Sequence, residues 1–163
     1  MGLIAFLKDA GQKLFGKEVQ AAEQAAAADP SKQAEVDRVK ATAIEQHVQS
    51  FGLGITALTV TFDGSTGVAK VFGVADDQAT KEKAILAAGN VDGVAGIDDH
   101  MTVTVAAPEA AYYTVVKGDT LSKIAKASYG NANEYPRIFE ANQPMLTHPD
   151  KIYPGQQLRI PPK

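Results

Sequence analysis

Leu58, Val60 and Phe62 alternate with Thr59 and Thr61, the period of a strand with one buried face. Asp63-Gly64-Ser65-Thr66-Gly67 then turns the chain and Val68 to Phe72 returns, so a hairpin is expected. Before it, Val36, Val39, Ala43, Ile44 and Val48 recur at helical spacing, from a Ser31 cap to a stop at Gly52. After it, Asp76 or Asp77 caps a helix through Lys81, Ile85, Leu86 and Ala88, ending at Gly89-Asn90. A third strand runs from His100 to Val105, with Met101, Val103 and Val105 on one face. Residues 31–105 therefore read as an αββαβ unit.

A second pattern follows residues 106–111, which read as a linker. Tyr113 to Val116 is β-branched and aromatic, as a strand requires, and Lys117-Gly118-Asp119 turns the chain. Thr120 caps a helix carrying Leu121, Ile124 and Ala125. Asn131 or Asn133 caps another, with Pro136 tolerated in its first turn and Tyr135, Ile138, Phe139 and Ala141 on its buried stripe. Asn142-Gln143-Pro144 stops that helix, and Gln157 to Ile160 supplies a closing strand. Residues 112–163 thus read as βααβ, and the fold class is α+β with two small domains.

The first residues carry a different signal. Placed on a helix, Leu3, Phe6, Leu7, Ala10, Leu14 and Phe15 share one face, opposite Lys8, Asp9, Gln12 and Lys13. Residues 1–18 are therefore expected to form an amphipathic helix packing on the first domain, because so short a helix needs tertiary support. Residues 19–30, rich in alanine, read as a helical spacer broken at Asp29-Pro30.

Composition narrows the function. With 16 basic against 19 acidic residues in a chain of 163, no cationic footprint for nucleic acid exists. The absence of cysteine removes disulfides and thiolate metal sites. Lys8 and Asp9 interrupt the opening apolar run after Leu7, unlike a secretory signal, and no later run approaches the roughly 18 apolar residues of a membrane span. A cytoplasmic monomer without stable membrane insertion is the expectation. No nucleophile elbow, phosphate loop or HExxH motif is present, so an enzyme is not expected. His100 beside Asp98-Asp99, and His148 near Asp150, are the positions at which a divalent ion would be sought.

The separated pieces YTVVKGDTLSKIA, NANEYPRIFEAN and IYPGQQLRIP resemble a LysM domain. That resemblance implies N-acetylglucosamine-type glycan binding, in a groove formed by Gly118, Asp119, Thr120, Leu121 and the Pro144 to Ile152 segment. Asp119 and Thr120 serve equally as turn and cap residues in a LysM fold that binds no sugar. The stretch from Leu58 to Val103 resembles a BON domain, a type also found in envelope proteins. The order BON then LysM, with MGLIAFLKDAGQKLF at the start, is similar to a family of small bacterial cytoplasmic potassium-binding proteins.

Potassium suits neutral carbonyl oxygens better than tight carboxylate rings, so its site needs convergent backbone and no signature side chain. The Gly89 to Val94 loop places two glycines at a helix end whose last carbonyls lack helical partners. If Gly11 ends the N-terminal helix, carbonyls near Leu7 and Ala10 are free to close the other side. The resemblance and this reading together give Leu7, Ala10, Gly89, Val91 and Gly93 as carbonyl ligands for K+, with Asp92 adding only charge. An ordinary glycine-terminated helix followed by a turn is the competing account. Ion binding to the docked state would compact the protein and reach the LysM domain through Ala106-Ala107-Pro108. That domain would be free to meet an unidentified protein partner.

Overall fold

The computed structural model describes residues 2–163 and places both sequence-derived units. In the first, β2 (Ile55–Asp63) and β3 (Val68–Asp77) form the expected antiparallel hairpin. Helix α3 (Gln78–Gly89) then carries the chain to β4 (Gly96–Val105), which lies parallel to β3. Asp77 is the cap of α3, accepting from the Thr80 amide at 2.7 Å. The final strand begins at Gly96, earlier than the apolar alternation marked it, because its first residues pair with β3 on one side and the N-terminus on the other.

The sequence expectation fails at the N-terminus. Leu3–Ala5 is not helical but a strand, β1, antiparallel to β4 with Ile4 opposite Ile97. The sheet order is β1-β4-β3-β2. Residues grouped by helical spacing separate accordingly: Phe6 is 7% exposed, whereas Leu3 and Leu7 are 66% and 54% exposed. Two-residue alternation of Ile4 and Phe6, and not the 3.6-residue period, selects the buried face. The free edge of β4 offers this segment the hydrogen bonds that an isolated short helix cannot hold in water.

The alanine-rich segment is helical, as α1 (Lys17–Ala28), and lies against α2 (Gln33–Ser50). Val19 and Ala26 are buried, and Glu23 meets Lys40 of α2 at 2.7 Å. Helices α2 and α3 supply Ile44, Val48, Ile85 and Leu86 to the core, which Val60, Val71 and Ile97 complete from the sheet.

The second unit pairs β5 (Ala111–Thr114) antiparallel with β6 (Gln157–Ile160). Helices α4 (Leu121–Tyr129) and α5 (Tyr135–Ala141) lie between them in the chain. Thr120 caps α4 through the Lys123 amide at 3.2 Å, and Asn131 caps the short 3-10 turn preceding α5. Of the stripe expected on α5, Ile138 and Ala141 are buried, Phe139 is half-buried and Tyr135 is exposed.

The two units are bonded to each other. Glu82 on α3 forms a buried ion pair with Arg159 on β6, and its other oxygen accepts from the Ala110 amide at 2.9 Å. The junction between the units is thereby anchored at Ala110.

Candidate functional site

Three backbone segments meet where β1 leaves the sheet. The arm continues from β1 with the Phe6 amide donating to Ala95 O at 2.9 Å, then turns, the Ala10 amide donating to Leu7 O at 3.1 Å. The second segment is the loop after α3. It receives the arm by three main-chain bonds: Gly93 N to Lys8 O at 2.7 Å, and Gln12 N to Asn90 O and Asp92 N to Gln12 O, both 2.9 Å. Glycine at position 89 is a packing requirement, since a Cβ there would lie 2.1 Å from the buried Phe6 ring. Phe15 fixes the far end of the arm, its ring 6.5 Å from Phe62 with the Lys40 ammonium 5.3 Å from its centre.

The third segment is the end of the second unit. Asn90 clasps Gln157 there, accepting from its amide at 2.9 Å and donating to its carbonyl at 2.8 Å. The Gln157 side chain donates to Ala5 O, and Gly155 lies against Ala10 and Leu7.

The five carbonyl residues expected from sequence therefore fall on two segments that the fold joins. Leu7 O accepts from Ala10 N, and Val91 O accepts from Val94 N at 3.0 Å. The carbonyls of Ala10, Gly89 and Gly93 accept no hydrogen bond among the described residues. Because the arm is a turn and not a helix, Leu7 and Ala10 are not the end of a helical ladder. Sequence reasoning missed Lys8 and Gln12, whose backbone groups lace the arm to the loop, and the Asn90–Gln157 clasp across 67 residues. Neither has a local sequence signal. Gly11 and Gly155 were the available hints, as glycines where backbone must approach backbone.

The other candidate positions are placed differently. Asp119 accepts from the Tyr113 hydroxyl at 2.8 Å and from the Val116 amide at 2.9 Å, Thr120 is a cap, and Leu121 is buried. Gly118 turns the chain and accepts from the Lys123 ammonium at 2.9 Å, while Ile152 packs on the second core. Asp98 and Asp99 face opposite sides of β4: Asp99 pairs with Lys81 at 2.8 Å, and His100 stacks on Phe72. His100 Nε2 lies 3.0 Å from Asp98 but makes no hydrogen bond. No group of three or more metal-ligating side chains gathers among the described residues.

The BON domain family matches residues 36–105 and the LysM domain family residues 113–161. Potassium binding protein Kbp of Escherichia coli is 43% identical over 161 residues, covering 99% of each chain. The chain belongs to the Kbp family. Its similarity to Kbp includes the arm, both domains and the joint between them. An uncharacterized protein of Deinococcus radiodurans is 42% identical over 85 residues, 45% of this chain and 33% of that protein. No helix of the described residues is long and apolar enough to cross a membrane.

Proposed function

We propose that the protein binds K+ between the arm and the loop after α3, as a cytoplasmic sensor or buffer and not an enzyme. The backbone carbonyls of Leu7, Ala10, Gly89, Val91 and Gly93 are the proposed ligands. The observation that carries this reading is the lacing of arm to loop, which leaves the Ala10, Gly89 and Gly93 carbonyls without hydrogen-bond donors. Carbonyls held without donors have oxygen lone pairs to give a large, weakly polarising cation. Kinship with a protein named for potassium binding supports the choice of ion.

On this reading the ion stabilises only the docked arm. Its contribution grows as RT ln(1 + [K+]/Kd), which favours the closed arrangement as potassium rises. The second domain bears on the site through Gly155 and Gln157, so BON–LysM docking and ion binding are linked. Membrane attachment by an apolar stripe fits less well, because Phe6 of that stripe is inside the core.

Backbone-amide NMR titration with KCl, against matched NaCl, tests the reading. K+-specific shifts concentrated at Leu7–Gly11 and Gly89–Val94 are expected. Equal small shifts in the two salts would overturn it.

A further inference from the structure

A cleft of about 360 Å³ separates the last turns of α2 and α3 from the LysM loop that follows α5. Its size is at the lower end of ligand pockets, about 300–1,000 Å³, and domain junctions are where such pockets concentrate. It contains none of Gly118 to Leu121, and it shares with the glycan groove implied by the LysM resemblance only the 144–152 segment, through Met145, Leu146, Thr147 and Lys151.

The lining is divided by chemistry. Phe51, Leu86 and Met145 form an apolar wall. Thr147, Lys151 and Tyr153 bring hydrogen-bond donors from the LysM loop, and their side chains make no hydrogen bond among the described residues. Burial pushes the Tyr153 phenol up to about 12, so it keeps its proton, and Lys151 is the cation of the lining. No acidic side chain is among the described residues that line the cleft.

The opposite side has the other polarity. Ala87 and Asn90 belong to the C-terminal end of α3, where the helix carries partial negative charge. The Ala87 carbonyl accepts no backbone hydrogen bond from beyond the helix. A plain anion would be opposed at this end and a plain cation at Lys151; a zwitterion satisfies both.

We propose that the cleft binds a small zwitterion, an α-amino acid with an apolar side chain. Its carboxylate lies at Thr147, Lys151 and Tyr153, its ammonium at the end of α3, and its side chain over Phe51, Leu86 and Met145. Gly11 and Gln12 of the arm also line the cleft, so this binding rests on the docked arrangement that the proposed function ties to K+.

The test is amide NMR of the full chain in KCl, where the arm is docked, titrated with L-phenylalanine, 3-phenylpropionate (no ammonium) and phenethylamine (no carboxylate). Saturable shifts at Gln12, His47, Ala87, Thr147 and Lys151 are expected with phenylalanine in the millimolar range. Each analogue should bind about tenfold more weakly, the loss of one charged contact. Lys151→Met, at an exposed position, should weaken phenylalanine about tenfold and strengthen phenethylamine, whose ammonium no longer meets a like charge. The proposal falls if phenylalanine does not saturate at tens of millimolar, if either analogue equals it, or if Lys151→Met binds as the parent does.

Discussion

Asn90 and Gln157 hold the two domains together through a two-way amide pair, the Asn90 side chain giving one hydrogen bond to the Gln157 backbone and taking another. Asn90 also sits at the end of α3 and receives the Gln12 amide on its own carbonyl, so a single residue touches arm, loop and LysM domain.

Asn90→Asp preserves the acceptor but places an oxygen against the Gln157 carbonyl. A loss of about 1–3 kcal/mol is expected, as for a half-buried polar group left unpaired, and K+ affinity should fall with it. Urea denaturation and a K+ titration of the same variant measure the two effects.

Glu82 and Arg159 form the buried ion pair between the domains. Removing one partner, as in Glu82→Ala, should cost about 3–5 kcal/mol because the other charge is left buried. The double change Glu82→Met with Arg159→Met should recover most of that loss. A double-mutant cycle in urea checks this; additive losses would show that the pair is not coupled.

Gly155 has φ of +88°, and a Cβ there would stand 2.5 Å from the Ala10 Cβ. Gly155→Ala is therefore strained in its own backbone and against the arm, and about 1–3 kcal/mol of destabilisation is expected. Amide exchange should accelerate at Ala10 to Gln12 before it does in α4. Uniform acceleration would locate the damage within the LysM domain instead.

Burial lowers the His47 pKa from 6.5, so the folded chain binds fewer protons there than the unfolded chain. The sign follows: this stability is present above about pH 6.5 and is lost as pH falls toward the folded pKa. Denaturation midpoints between pH 7.5 and 5 should decline in the parent and less in His47→Gln. Tyr153 acts at the other end, pushed up to about 12 by burial, so its contribution is lost as pH rises from about 10 toward 12. Tyr153→Phe should flatten that alkaline decline.

The hairpin and α2 were readable because each presents one wet and one dry face, giving Thr59, Val60, Thr61 and Phe62 a period of two and Val36, Ile44 and Val48 a helical one. The LysM domain was readable from its caps and turns, Thr120 and Asn131 among them. The arm was not. Its six apolar residues fit a helix as written, and only the distant edge of β4 and the space left by Gly89 turn Ile4 and Phe6 inward. Glu82 and Arg159, 77 residues apart, are likewise ordinary charges until the fold brings them together. The candidate carbonyl residues were found as two loops rich in glycine, while the bonds that lace those loops belong to tertiary structure.

The bond from the Gln157 side chain to Ala5 O closes a span of 152 residues. During synthesis the arm emerges 152 residues ahead of its LysM wall. A ribosome must therefore make Gln157 and clear it from the exit tunnel before the arm can meet that wall. Nascent and prematurely terminated chains lack this closing contact, so complete assembly of the proposed site belongs to molecules whose translation has passed the final strand.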